Sequence, residues 1–315
     1  MTIELNIFRI HWVVFFLEMR TLTMIATTSV TFLSENYQIA GTLYLPTLLA
    51  GHKAPGIVLC QGFAGTKEML LPAYAEKFAK NGYVALAFDY RGFGGSGGEP
   101  GRLVPKLQVE DIKNAISFLS SVDEVDSGRI GLWGTSYGGA NAIVAASEDK
   151  RIKCLCIQLA FGDGERCITA KDISKLKETL AKLRDKKEST GKELMVPISK
   201  ILSDKQSKKF FQEYSDAFPA LKIKIPFLTI LETINYKPEN YLKNLHIPIL
   251  IIGAEKDLVS PISETYSLYN LASEPKELMV ASGATHFDLY KGDFLEQVVN
   301  KQISWFDKHL AINTL

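Results

Sequence analysis

The sequence predicts an α/β protein built on a doubly wound, mostly parallel sheet with a helical insertion, and three observations carry that expectation. Short, nearly continuous apolar runs alternate with segments of helical periodicity. A hairpin pattern precedes them, and one long stretch late in the chain breaks the rhythm.

The hairpin comes first. Residues 28–33 and 38–44 alternate apolar and polar side chains around Ser34, Glu35 and Asn36, as two antiparallel strands and their turn would. The strands then change character: residues 56–60, 84–88, 130–133, 152–159, 249–252 and 278–280 are apolar almost throughout, which suits strands covered on both faces. With the hairpin they make an eight-stranded sheet. Helical patterns fill the gaps at 74–81, 109–121, 140–147, 261–272 and 294–310; in the second, Ile112, Ala115, Ile116 and Leu119 share a face. Between residues 162 and 245 no central strand stands out, whereas Ile173, Leu176, Leu180 and Leu183 recur at helical spacing among many lysines. This stretch reads as a helical cap insertion over the carboxyl edge of the sheet, where open α/β sheets bind ligands. The lysines between 171 and 209 read as a solvated helix face rather than an anion site. Residues 28–161 and 246–315 then form the core, 162–245 the cap, and 1–27 an amino-terminal extension.

Composition narrows the partners. Lysine and arginine number 36 against 35 acidic residues, a formal net charge of +1, so no global field draws the chain to nucleic acid or to an anionic membrane. A small-molecule partner is the expectation. Cys60, Cys154, Cys156 and Cys167 are few and irregularly spaced, which indicates neither a disulfide framework nor a zinc site and fits a reducing, cytoplasmic setting. Cys154 and Cys156 read as small core residues on one strand face. The apolar stretch 10–17 is too short to span a bilayer, and Glu4 ahead of Arg9 is not the basic start of a signal peptide. Secretion is therefore the lesser alternative. Either an extension packed on the domain or a folded part beginning at Met24 accounts for the first residues.

Chemistry concentrates at the strand ends. Gly134-Thr135-Ser136-Tyr137-Gly138-Gly139 follows the apolar run ending at Trp133 and opens a helical segment, the setting of a nucleophile elbow. A serine on so tight a turn needs small neighbours, and Gly139 lets the helix approach the sheet. A serine hydroxyl attacks only when a base takes its proton, and that base needs an acid to fix its tautomer. Both follow in chain order. Asp257 lies just past the run 249–252, and His286 follows the last strand. Glu255 competes for the acid role, and Asp288 is near the histidine in sequence. His11, His52, His246 and His309 sit in the extension, a polar loop, ahead of a strand and near the carboxyl terminus, where a base has no place. A developing oxyanion needs donors, each contributing about a hundred- to thousandfold. The backbone amides of Phe63, in the loop Gln61-Gly62-Phe63-Ala64-Gly65-Thr66, and of Tyr137 are the candidates. The glycine-rich loop 89–99 runs on through Pro100 and Pro105 without opening a helix, so it is not a dinucleotide turn, and Arg91 is expected to hold the loop. No phosphate-cradling motif or metal-ligand cluster stands out, so no cofactor and no metal is expected.

These marks together resemble the α/β-hydrolase superfamily, and within it the dienelactone-hydrolase-like and X-prolyl-dipeptidyl-peptidase-like branch. The resemblance runs from about residue 28 to 310 and rests on Gln61-Gly62-Phe63, on Asp89-Tyr90-Arg91-Gly92-Phe93-Gly94 with Ser96, on the elbow at Ser136, on Asp257, and on Gly283-Ala284-Thr285-His286. Many members carry histidine where this chain has Gln61. The resemblance implies a serine hydrolase working through an acyl-enzyme on Ser136, with a carboxylic ester of small to medium size as the leading substrate class. Acyl transfer or thioester cleavage of the polyketide-transferase type comes next, then a small-peptide serine peptidase, and last a binding protein that keeps only the scaffold.

Overall fold

In the computed structural model of the chain, residues 25–168 and 172–310 are described, so the expectations for residues 1–24 fall outside it. Strands β1 (Ile25–Ser34) and β2 (Tyr37–Pro46) form the hairpin, in register from Ile25 opposite Pro46 to Ser34 opposite Tyr37. Then follow β3 (Ala54–Cys60), α1 (Leu71–Lys80), β4 (Val84–Phe88), α2 (Pro105–Ser120), β5 (Val125–Thr135), α3 (Tyr137–Glu148) and β6 (Ile152–Gln158). One expectation is corrected here: Pro105 was placed in a long loop, yet it begins α2. Proline at the first helical position forfeits no intrahelical hydrogen bond and arrives with φ already helical.

The stretch after β6 carries α4 (Ile173–Thr190), β7 (Met195–Pro197), α5 (Lys205–Tyr214), β8 (Lys224–Pro226), α6 (Thr229–Asn235) and α7 (Glu239–Leu242). Asp172 caps α4 by accepting the Lys175 amide at 2.9 Å, and Gly191 ends it at φ 67°. Strands β7 and β8 pair with each other as a two-stranded antiparallel ladder apart from the main sheet, an element too short to leave a sequence pattern. Leu180, Ile230 and Ile234 are buried together, with Ile173 and Leu176 against them, while Lys175, Lys177, Lys182 and Lys186 are exposed. The chain re-enters the sheet through β9 (Ile249–Ala254), α8 (Ile262–Leu271), β10 (Lys276–Ala281) and α9 (Gly292–Leu310).

The eight strands lie in the order β1-β2-β4-β3-β5-β6-β9-β10, parallel from β4 to β10, with β1 and β2 antiparallel at one edge. Burial on both faces explains the unbroken apolar runs. In β3, Val58 and Cys60 join the core that holds Ile112, Ile116 and Ile143 of α2 and α3, while Ile57 and Leu59 join that of Tyr74, Phe78 and Phe306 of α1 and α9. Cys154 and Cys156 are buried on the latter face. Among the described residues, no helix is long and apolar enough to cross a membrane.

Candidate active site

Ser136 stands between the last residue of β5 and the first of α3 with φ 54° and ψ −123°, a conformation that costs a non-glycine residue roughly 1–3 kcal/mol. Neighbours hold it there. The Ser136 amide donates to the Gln158 carbonyl of β6 at 2.8 Å, and the Ser136 carbonyl accepts the amides of Gly139 and Ala140 at 3.0 and 3.2 Å. A Cβ on Gly134 would lie 2.6 Å from the Gly138 carbonyl oxygen, and one on Gly138 only 2.1 Å from that of Cys60. Strand, turn and helix therefore meet at backbone distance, which only glycine permits.

A buried polar chain runs beneath the turn. The Trp133 indole donates to Gln302 Oε1 at 2.9 Å, Gln302 Nε2 to Gln158 Oε1 at 2.8 Å, and Gln158 Nε2 to Thr135 Oγ1 at 3.3 Å. Thr135 Oγ1 is in turn hydrogen-bonded to the Tyr290 hydroxyl, a link in which either oxygen can donate. Indole nitrogen only donates, which matches a chain running in one direction from Trp133 to Thr135.

Asp257 follows β9. Its Oδ1 accepts the amides of Val259 and Ser260 at 2.7 and 2.9 Å, and its Oδ2 lies 2.7 Å from Nδ1 of His286. Both side chains are buried. Glu255 does other work: hydrogen bonds from the Gly283 amide at 2.6 Å and the Ser282 hydroxyl at 2.8 Å brace the turn ahead of His286 and hold this carboxyl below its usual range. Asp288 accepts from the Thr285 amide and hydroxyl. Of these three acids, Asp257 is the one bonded to the histidine ring. Of the other histidines, His309 lies against Trp305 in α9, and His11 falls outside the described residues.

Ser136 and His286 line one cavity of about 50 Å³ together with Gln61, Gly62 and Phe63. Gln61 is buried; its Oε1 accepts the Gly62 amide at 2.8 Å and its Nε2 donates to the Thr66 carbonyl at 2.9 Å. That bond occupies the Gly62 amide, leaving the next one, Phe63, as the loop's candidate donor. A Cβ on Gly62 would lie 3.3 Å from that of Ser136, so the loop rests directly on the serine. Tyr137, first residue of α3, has an amide without an intrahelical acceptor. Arg91 turns away to Asp111 at 2.9 and 2.7 Å, Glu35 at 2.6 Å and Ser34 at 3.0 Å, holding its loop as expected.

A second cavity of about 210 Å³ opens from Ser136, Phe63 and Tyr137 toward Leu176, Leu202 and Ile230 of the segment after β6. Tyr137 closes one side, stacked on Tyr236 with centroids 5.9 Å apart and edge-on to Phe161 at 5.3 Å. Sequence reasoning missed two contributors. Gln206 of α5 bonds the backbone of both loops that bear Asp257 and His286, and Tyr290 lines the serine's cavity from four residues past the histidine.

Known proteins resemble this chain over most of its length. An uncharacterized 31.7 kDa protein of the traX-finO intergenic region of Escherichia coli is 44% identical over 263 residues, 82% of this chain and 92% of that one. The quorum-quenching protein AidA of Acinetobacter baumannii is 32% identical over 297 residues, 90% of this chain and 95% of its own. The crystal structure of hypothetical protein PA2218 from Pseudomonas aeruginosa superposes with a TM-score of 0.78 at 27% identity, covering 90% of this chain and 94% of that one. Residues 35–288 match the family described as X-Pro dipeptidyl-peptidase (S15 family), a span reaching from the hairpin turn past His286. With its mostly parallel eight-stranded sheet and its serine turn, this chain belongs to that family and has the α/β-hydrolase fold.

Proposed function

We propose that the protein is a serine hydrolase that cleaves a small to medium carboxylic ester through an acyl-enzyme on Ser136. The observation that carries this reading is the 2.7 Å bond between His286 Nδ1 and Asp257 Oδ2, with His286 and Ser136 on one cavity wall. With Nδ1 donating to Asp257, Nε2 is left as the acceptor a base requires. Ser136 Oγ attacks the carbonyl carbon, His286 takes the serine proton, and Asp257 steadies the imidazolium. The amides of Phe63 and Tyr137 receive the oxyanion. Collapse expels the alcohol, which leaves with the proton from His286, and water then repeats the sequence on the acyl-enzyme. The residues after β6 form a cap, and the 210 Å³ cavity, walled by Phe63, Leu176, Leu202 and Ile230, takes the acyl group.

A peptidase releasing amino-terminal dipeptides would need a free carboxylate for the substrate's ammonium group. Among the described residues of this cavity the one carboxylate is Asp204, whose Oδ1 already accepts two amides as the cap of α5. With Oδ1 committed to the helix, only Oδ2 of this single carboxylate is left to meet an ammonium group, which favours an ester over a peptide.

Hydrolysis of p-nitrophenyl esters from acetate to decanoate, with and without an alcohol acceptor, tests the reading. Ser136→Ala should fold and lose at least roughly a thousandfold in kcat. Undiminished turnover in that variant sinks the assignment, and alcohol consumed faster than water redefines the enzyme as a transferase.

A further inference from the structure

One glutamine of the segment after β6 reaches both loops on which the acid and the histidine sit. Gln206 Nε2 donates to the Lys256 carbonyl at 2.6 Å, and Oε1 accepts the Leu258 amide at 3.1 Å and the His286 amide at 3.2 Å. It thus clasps the residues on either side of Asp257 and the backbone of His286 itself. A glutamine that served only the surface would have no reason to satisfy three backbone groups from two loops at sequence separations of 50, 52 and 80.

The capping residue of the same helix borders the acyl cavity. Asp204, whose Oδ1 accepts the Gln206 amide at 2.8 Å, lines that cavity with Leu202 just ahead of it. One turn further on, Phe210 stacks on Phe287, the residue after His286, with centroids 4.3 Å apart and planes 8° apart. The two loops are also joined to each other, by the Lys256 amide on the Ala284 carbonyl at 2.8 Å and by Glu255 on Gly283. Gln206 is therefore not needed to keep them together. What it adds is a link from the wall of the acyl cavity to the acid and the histidine.

Resting on the hydrolase reading above, we infer that Gln206 is a positioning residue through which filling of the acyl cavity brings the bonded His286–Asp257 pair into line with Ser136. A chain that occupies the cavity presses on the amino-terminal end of α5, and Gln206 transmits that placement to residues 256, 258 and 286. Binding energy from a remote part of the substrate then appears in the chemical step and not only in affinity.

Alkyl fluorophosphonates of increasing chain length test this on the whole protein. Ser136 Oγ attacks phosphorus, the P–O bond forms as the P–F bond breaks, fluoride leaves, and the serine proton passes to His286. Labelling of the wild type should show a saturating rate that rises with chain length, on the order of tenfold from the shortest to the longest alkyl group. Gln206→Ala should flatten that rise to the rate of the shortest reagent, while apparent affinity still improves with chain length because the cavity is intact. Gln206→Glu keeps the two accepted bonds and loses the donated one, so its slope should fall between; it carries the test alone should alanine unfold the helix. A wild-type slope in the variants, or one equal loss at every chain length, overturns the inference, as does a wild type whose saturating rate ignores chain length. A wild type that resists labelling altogether counts against the hydrolase reading instead.

Discussion

Ser136 is held at positive φ by a hydrogen bond from its own amide and by glycines that let three backbones touch. Strain of this kind is released by the residue that has no Cβ. Ser136→Gly should therefore raise the unfolding free energy by up to about 1 kcal/mol while abolishing turnover, because the relief outweighs the added freedom of the unfolded chain. Urea denaturation of wild type, Ser136→Ala and Ser136→Gly checks it: glycine should be the most stable of the three, and a glycine variant weaker than alanine would show the turn to be unstrained. Asp257 makes a related point about side chains. Only Lys256 separates it from Glu255, yet one faces the imidazole from a buried site while the other is exposed and braces a turn. Chain order favours Asp257 yet leaves Glu255 in contention, and the direction in which the chain leaves β9 separates the two.

Among the elements, those buried on both faces were the most legible. The strands β3, β4, β6 and β9 announce themselves because nearly every side chain is buried, and Ser136, Asp257 and His286 stand out by their places after β5, β9 and the half-buried β10. The three-residue strands β7 and β8 have no such signature, and the start of α2 was misjudged because a proline that opens a helix looks like one that prevents it. Gln206 was invisible for a different reason: on a half-polar helix a glutamine signals solvent, and its partners are backbone groups that any sequence supplies. The helix that carries it depends on its cap. Asp204 Oδ1 accepts the amides of Gln206 and Ser207 at 2.8 and 2.9 Å, so Asp204→Ala should cost about 1 kcal/mol. Hydrogen exchange should show the loss first in residues 205–214, and protection unchanged there would mean that packing of Phe210 alone secures the helix.

For the molecule as a whole, acid sets one boundary of stability. Burial by itself would raise the Asp149 carboxyl, but hydrogen bonds from the Arg151 side chain and amide outweigh it and hold the group below its ordinary value of 3.8. A carboxyl depressed on folding stabilises the native state in full above the unfolded value, and that contribution fades as pH falls from there through the lower folded value. Arg151→Ala should accordingly narrow the gap between unfolding free energies measured at about pH 7 and about pH 3. An unaltered gap would mean that other carboxyls dominate the acid limb. The buried chain from Trp133 through Gln302, Gln158 and Thr135 to Tyr290 has a consequence for descent. Because the indole donates to Gln302 and the two glutamines are bonded to each other and on to Thr135, replacing any of positions 133, 158 or 302 alone takes a partner from a neighbour in the dry interior. These three sites, far apart in the sequence, should be inherited as a block, and a lineage that abandons the indole should be found to have exchanged both glutamines with it.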